Sequence, residues 1–482
     1  MGARLASSSV SPRIERALFW ALVCACLVPV WLFPYYISQD GGSHLESANI
    51  LLRYGSTPLY QKYLHLNWVP VPNWFGHVLE AALLAVFPPP VAEKVFVSLY
   101  VIGFALALRL IAGYRGAMLA TPLILNCLVL YGFYNFLWSM VWLAAFAAVY
   151  RWASWAVRAA LLVVIYFCHL FSSFVAGVVG LLFGWKRITV FAPVAGLMVW
   201  YVLRGDVSGA GSPVPVPLSI RWAALCRGTT AAFSYAQFDQ GVSTAYAVLL
   251  LLWCGWHLKN RRWNVWALVA AVMFVVYLFA PPQAGTGGYI LERCQVYVLL
   301  ALALWAGMEE KRWRWLPPAA GAVFTVLAVW NLAGYQRELN AELAEYLSVA
   351  KAIEPGKTIL PVQYDSRGPG RLQQLYALPM RHAGGYLALR TGGLDLTNYE
   401  ARLPYFPIQW REEFNPGVYI GHLEDEPPAP DYAGYGGRTP GGRVDYVLVW
   451  DPLGKAGAAK LPKLDRMVAV SPKGWARLYR VA

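Results

Sequence analysis

The chain has 482 residues, of which 58% are hydrophobic, 15% aromatic and only 14% charged, with a formal net charge of +14. Soluble domains carry about 25% charged residues, so most of this chain cannot cover an ordinary water-facing surface. Nor does the basic excess mark a nucleic-acid binder, which needs one continuous basic face.

The basic residues instead fall in short clusters between apolar runs: Arg13/Arg16, Arg151/Arg158, Lys186/Arg187, Lys259/Arg261/Arg262 and Lys311/Arg312/Arg314. This is the spacing of cytoplasmic loops in a polytopic membrane protein. Residues 1–334 hold 22 Lys and Arg against 10 Asp and Glu, whereas 335–482 hold 18 against 16. The step near residue 335 predicts a boundary between a transmembrane region (1–334) and a water-facing C-terminal domain (335–482). All seven cysteines (24, 26, 127, 168, 226, 254 and 294) precede it. Their spacing matches no zinc site or disulfide framework, and they read as buried apolar thiols.

The first apolar run starts at Ala17 after a short basic segment. Trp20, Trp31 and Phe33-Pro34-Tyr35-Tyr36 extend it to about 20 residues, with no small-residue cleavage site, so it reads as an uncleaved helix entered from the cytoplasm. Further spans are expected near 74–88, 94–111, 117–131, 136–150, 157–170, 172–185, 188–203, 241–257, 264–281, 293–308 and 316–334. The pattern is a mainly α bundle of about 11–13 transmembrane helices. Twelve crossings would return the C-terminus to the cytoplasm, yet the cluster at 311–314 places residue 335 outside. One segment therefore does not cross; 74–88, short and carrying His77 and Glu80, is the candidate. Two long connections, 37–73 and 204–240, then share the outer face with the C-terminal domain.

That domain opens with an amphipathic stretch, Tyr335 to Ile353, bearing Leu339, Leu343 and Leu347 at four-residue spacing. Lys357–Val362, Val444–Trp450 and Ala476–Val481 read as strands. A small α/β domain with a long Gly/Pro-rich insertion follows from this pattern.

The ten acids of residues 1–334 are few enough to weigh singly: Glu15, Asp40, Glu46, Glu80, Glu93, Asp206, Asp239, Glu292, Glu309 and Glu310. Asp40 stands out, just past the first helix and followed by two glycines that let a ligand approach closely. Ser43-x-x-Glu46 has the form of a capping box, which would make Glu46 a cap partner. Leu45, Ala48 and Leu52 form a stripe suited to an amphipathic helix lying on the membrane surface. His44 would face Asp40 if that helix began early, and is otherwise a surface histidine. Asp239 reads as a helix-start anchor, and His169 as a packed histidine. His65, Asn67, Asn73 and His77, with Trp68 and Trp74, could line an acceptor pocket, as could His382-Ala383-Gly384-Gly385-Tyr386.

Asp40-Gly41-x-x-His44-Leu45-x-x-Ala48, with Val71-Pro72-Asn73-Trp74 and the whole layout of the chain, resembles the GT-C superfamily of membrane glycosyltransferases, in an uncharacterised bacterial branch. The resemblance implies a GT-C-like fold and an extracytoplasmic C-terminal domain at a bacterial inner membrane. It also implies transfer of a hexose or pentose from a polyprenyl-phosphate-linked donor to a lipid-linked, glycan or protein acceptor. By position, Asp40 becomes the general base. Arg293, in Gly287-Gly288-Tyr289-Ile290-Leu291-Glu292-Arg293, becomes the first candidate for the departing phosphate, ahead of Arg221 and Arg227. Glu292, His44, Glu46, Asn73, His77 and Asp239 complete the expected substrate-binding set. Many members pair two acids in the first loop, and here Gln39 precedes Asp40. A second acid would come from Glu46, Glu80, Asp239 or Glu292. No metal-ligand set is assigned, and a divalent metal stays an alternative. The rival readings are a transporter or lipid flippase, which should show mid-membrane charges and an internal repeat, and a non-catalytic scaffold of the same fold.

Overall fold

The computed structural model of the chain describes residues 12–204, 216–227, 232–283, 287–307, 315–421, 430–455, 464 and 466–481. Asp206, Glu309, Glu310 and the basic cluster at 311–314 lie outside them. The chain forms α1 (Pro12–Trp31), α2 (Gly41–Arg53), α3 (Pro58–Tyr63), β1 (Leu64–Leu66), α4 (Trp74–Leu84), α5 (Pro89–Ala120), α6 (Cys127–Tyr131), α7 (Tyr134–Val149) and α8 (Trp155–Cys168). It continues through α9 (Leu170–Gly184), α10 (Ala192–Leu203), α11 (Leu218–Arg227), α12 (Gln240–Lys259), α13 (Val265–Phe279), α14 (Ile290–Ala306) and α15 (Leu316–Leu347). Mixed structure follows: β2 (Thr358–Gln363), α16 (Gly384–Thr391), β3 (Leu394–Asp395), β4 (Ile408–Trp410), β5 (Tyr446–Trp450), β6 (Arg466–Val470) and β7 (Ala476–Arg480).

Among the described residues, five helical segments are long and apolar enough to cross a membrane: Pro12–Trp31, Pro89–Tyr131, Leu170–Leu203, Gln237–Lys259 and Leu316–Ala352. Four shorter apolar helices accompany them. The protein is an integral membrane protein with a mainly helical fold. Two predicted pairs of spans are each one broken segment. The runs 94–111 and 117–131 join across a kink at Gly113, where φ is +66°, and 172–185 joins 188–203 through a 3-10 turn. Helix α4, with 11 residues, is about 16 Å long, roughly half the thickness of a hydrocarbon core.

The charge step near 335 falls inside a continuous helix. α15 runs unbroken for 32 residues, and Leu339, Leu343 and Leu347 are buried on its second half. The amphipathic stretch is therefore an extension of the last span rather than a separate element. From that extension, Gln336 clamps the backbone of Ile37 through both amide atoms, at 2.9 and 2.7 Å. Asn340 clamps Tyr35 in the same way, at 2.9 and 3.0 Å. The link from α1 to α2 is thus held against α15 by backbone pairing that needs no regular structure.

β2 and β5 carry apolar runs, Thr358–Gln363 and Tyr446–Trp450, that are buried along their whole length. Continuous burial suits strands covered on both faces. The five-stranded sheet has the order β3-β2-β5-β7-β6, with β2 parallel to both β3 and β5, and β7 antiparallel to β5 and β6. The three predicted strands are its centre; β3 and β6 were not legible. A second small sheet pairs β1 with β4, Leu64 opposite Trp410 and Leu66 opposite Ile408, tying the first connection to the C-terminal region.

Gly41 to Ala48 and Ile50 of helix α2 are buried, and α2 packs against α4 and α16. Of its apolar stripe, Leu45 and Ala48 face protein and Leu52 is exposed.

Candidate functional site

The site is built on the turn between α1 and α2. The backbone N–H of Gln39 donates to Leu130 at 2.9 Å and that of Asp40 to Tyr131 at 3.1 Å. Gly132 beside them has a φ of +75°, and a Cβ there would stand 2.6 Å from Ser38 Oγ and 2.9 Å from Asp40 N. Only glycine lets the two backbones approach this closely. Helix α2 begins at Gly41 with Asp40 as its N-cap residue, and the Asp40 side chain makes no capping bond. Its carboxylate is left to receive Gln39 Nε2 at 3.2 Å and the Tyr399 hydroxyl, with His382 Nε2 at 3.7 Å. Burial pushes the Asp40 carboxyl up to about 6, with His44 and the bonds from Gln39 and Tyr399 offsetting part of the rise.

The early start of α2 puts His44 one turn along from Asp40, with its N–H on the Asp40 carbonyl at 3.0 Å. The histidine is buried, not at the surface. Its Nδ1 lies 2.6 Å from Glu400 Oε1, and the same carboxylate meets His77 Nε2 at 2.9 Å through Oε2. Burial alone would lower the His44 pKa, but Glu400 outweighs it and holds His44 up at about 9. Burial would raise Glu400, and the two histidines reverse this and hold it well below the usual carboxylate range. Tyr134 stacks on the His44 ring at 5.3 Å and donates to Glu93 at 2.7 Å. Tyr386 from α16 donates to the same carboxylate at 3.0 Å. Glu93 thus braces α2 between bundle and C-terminal region.

Asp40 opens on a cavity of about 980 Å³. Its wall includes apolar residues from span helices, Phe171 and Phe174 on α9, Met198 on α10 and Ile290 on α14. It also includes polar residues from the C-terminal region, Arg381, His382, Tyr399, Arg402 and Tyr405, beside Leu403 and Phe406. Arg293 is on the same wall, its guanidinium 4.7 Å over the Phe133 ring and bonded to the Gly288 carbonyl, with Asp40 and Tyr405 within electrostatic reach. Arg381 and Arg402 are near enough to repel each other, and the Arg402 guanidinium is pulled below its usual range first by burial and then by that repulsion. Two of the three described non-glycine residues with positive φ, Asn73 at 65° and Tyr289 at 58°, are on the cavity wall and begin α4 and α14. Backbone strain of this kind concentrates at functional sites.

Of the residues expected from sequence, Asp40, His44, Asn73 and Arg293 line the cavity together. His77 lies behind His44, with Nδ1 on the Asn73 carbonyl at 2.9 Å. Glu46 is not a cap partner. Its carboxylate receives the Asp395 N–H at 2.9 Å and Asn398 Nδ2 at 3.1 Å, fastening α2 to the C-terminal region. Glu292 occupies the first turn of α14, where the helix dipole favours a carboxylate. Asp239 receives Ala236 N–H at 3.2 Å and the Tyr335 hydroxyl at 2.8 Å, the helix-start anchor its position suggested. Neither Glu292 nor Asp239 is on the cavity wall. Arg221 is turned onto the end of α13, donating to the carbonyls of Tyr277, Leu278 and Ala280 at 2.6–3.1 Å, and Arg227's side chain lies outside the described residues. His169 reaches the wall edge-on to Phe136 at 5.4 Å. His65 and Asn67 instead join the first connection to the C-terminal region, bonding Gln409 at 3.2 Å and the Pro404 and Phe406 carbonyls at 3.0 and 3.1 Å.

Sequence reasoning missed Glu400, Tyr399, Arg381 and Arg402. They lie between strands in irregular chain with no periodicity, and the acids were weighed only over residues 1–334. The one available signal was a dense polar and aromatic run, Asp395 to Arg402, inside a Gly/Pro-rich stretch.

The chain folds as a helical membrane bundle with a buried carboxylate just past its first helix, closed over by a mixed α/β region at its C-terminus. The chain matches the crystal structure of ArnT from Cupriavidus metallidurans in the apo state, at 12% identity and a TM-score of 0.55, over 97% of this chain and 98% of that one. It also matches ArnT bound to undecaprenyl phosphate, at 13% identity and a TM-score of 0.52, with the same coverage. At these identities the likeness is one of fold. No protein-family model and no curated protein matches the chain.

Proposed function

We propose that the protein is a membrane glycosyltransferase that moves a sugar from a polyprenyl-phosphate-linked donor to an acceptor on the extracytoplasmic side, where the C-terminal region forms a separate domain. The observation that carries this reading is the mixed lining of the cavity. A lipid-phosphate sugar has an apolar tail and an anionic head, and the cavity wall combines apolar residues of span helices with Arg293, Arg381 and Arg402 and the Asp40 carboxylate. The match to a structure bound to undecaprenyl phosphate supports the same class of donor.

In this reading Asp40 takes the proton of the acceptor hydroxyl as its oxygen attacks the anomeric carbon. The bond from that carbon to the phosphate oxygen breaks, and the polyprenyl phosphate leaves with its charge held by Arg293, Arg381 and Arg402. At neutral pH a carboxyl that titrates near 6 is mostly ionised and still basic enough to accept a proton. Tyr399, His382 and Gln39 orient it, and Tyr405 and Phe406 offer aromatic faces to a sugar ring.

The test is release of free polyprenyl phosphate from lipid-phosphate sugars by the full-length protein in nanodiscs, wild type against Asp40→Asn. Loss of release in the variant supports Asp40 as the base. Equal release would remove it from that role, and no release from any donor by wild type would favour a non-catalytic scaffold.

A further inference from the structure

Behind the Asp40 carboxylate, three buried side chains converge from three stretches of chain: His44 on α2, His77 on α4, and Glu400 on the loop before β4. Their ligand-type atoms all lie within 4.8 Å of one another. His77 is oriented for ligation. A backbone carbonyl can only accept, so the 2.9 Å contact to Asn73 makes Nδ1 the protonated nitrogen and turns the Nε2 lone pair inward. This is the usual outer support of a metal-bound imidazole. In that neutral tautomer Nε2 faces Glu400 Oε2 at 2.9 Å, lone pair against lone pair, unless a positive charge lies between. Glu400 Oε1 shows a related mismatch: it stands 2.6 Å from His44 Nδ1 yet has no partner in hydrogen-bond geometry among the described residues.

Charge around the cluster favours a cation as well. Glu80, three residues beyond His77 on the same face of α4, is 1% exposed, and its Oε1 has no hydrogen-bond partner among the described residues. It lies within electrostatic reach of His44, Glu93 and Glu400, so three carboxylates and two imidazoles share one enclosed volume. From this convergence we infer that His44, His77 and Glu400 bind one divalent transition-metal ion, zinc foremost. Two imidazoles and a carboxylate with a fourth position left for water or substrate are a zinc-type donor set, whereas magnesium and calcium prefer all-oxygen shells. The fit needs little movement. Donors around a tetrahedral zinc are about 3.4 Å apart. His44 Nδ1 and His77 Nε2 already stand 3.5 Å apart, and the carboxylate, now 2.6 and 2.9 Å from them, would withdraw by about 0.5–0.8 Å. The ion would pin the C-terminal region to α2 and α4 directly behind the Asp40 turn.

This inference concerns ion binding and does not depend on the reaction the cavity carries, so metal analysis and sugar transfer can fail independently. The full-length protein in detergent is stripped with a chelator, then dialysed separately against zinc, manganese, magnesium and calcium salts, and its metal content measured. About one zinc per chain is expected to remain, with manganese, magnesium and calcium largely lost. His77→Ala and Glu400→Gln should weaken zinc binding about 100-fold or more. Less than about a tenth of a zinc per chain in wild type, or undiminished binding in well-folded variants, would overturn the inference. Should both variants aggregate, the visible spectrum of the cobalt-loaded wild type decides. Intense bands of a four- or five-coordinate site support the inference, and the weak spectrum of a six-coordinate ion refutes it.

Discussion

Gly132→Ala perturbs the Asp40 turn without replacing a cavity-lining residue. The added Cβ would stand 2.6 Å from Ser38 Oγ, 2.9 Å from Asp40 N and 3.0 Å from Gly41 N, at a φ of +75°. The Ser38 hydroxyl can rotate away, but the two amide nitrogens belong to backbone fixed by bonds to Tyr131 and to α2. Reaching ordinary contact near 3.4 Å requires the turn to back off by about half an ångström, an overpacking strain of about 1–3 kcal/mol. The left-handed backbone adds about 1–2 kcal/mol. An ångström of misplacement costs about 100-fold in rate, so half that should cost about tenfold. Gly392→Ala is the matched control, because it too is left-handed, at φ +65° and ψ +26°, with nothing within 4 Å of the added atom. Both variants are compared with wild type in detergent by thermal unfolding and by initial rate of polyprenyl-phosphate release. Gly392→Ala should lose a little stability and keep its rate within about twofold, while Gly132→Ala loses both. Equal rates in the two variants would refute the claim that this backbone contact positions Asp40.

The Asp40 carboxyl is raised from 3.8 to about 6, so its ionised, basic form disappears as pH falls through 6. The transfer rate should drop about tenfold per pH unit below that point, and a rate flat from pH 7 to about 5 would contradict the base assignment. The same shift means that the fold favours protonated Asp40. Its favourable contribution is present below the ordinary carboxyl range and lost as pH rises through 6. Asp40→Asn should therefore unfold no earlier than wild type near pH 7.5, even while inactive. Arg293→Lys keeps the charge but loses the fork stacked over Phe133, and should slow transfer about 10–100-fold; an unchanged rate would move the phosphate to Arg381 and Arg402. Arg221→Ala strands three helix-end carbonyls and should cost about 1–3 kcal/mol of stability, read as a lowered unfolding temperature, with transfer unaffected. A loss of transfer without loss of stability would return Arg221 to the phosphate.

Membrane class, the helical bundle and the place of Asp40 at a turn a ligand can approach were legible because each rests on local chemistry: apolar runs, basic clusters and an acid beside two glycines. Arg293 was legible for the same reason, a cation just inside an apolar helix. What escaped depended on chain separated by hundreds of residues. Glu46 looked like a cap partner because Ser43-x-x-Glu46 fits a local pattern, yet its carboxylate serves Asp395 and Asn398 across the interface. The stripe Leu45, Ala48 and Leu52 looked uniformly outward-facing because sequence cannot show that tertiary packing buries Leu45 and Ala48 and leaves only Leu52 exposed. The charge step at 335 falls inside helix α15 and does not mark where that helix ends. Glu400 and Tyr399 had no periodic context at all, and only the fold brings them to His44 and Asp40.

The most direct test of the account is the release of polyprenyl phosphate from a panel of polyprenyl-phosphate sugars, measured side by side for wild type and Asp40→Asn in nanodiscs. The account expects at least one donor to be cleaved in an acceptor-dependent manner by wild type. It also expects the Asp40→Asn rate to be lower by about 100-fold or more, with the donor still bound. Turnover by Asp40→Asn at the wild-type rate would contradict it.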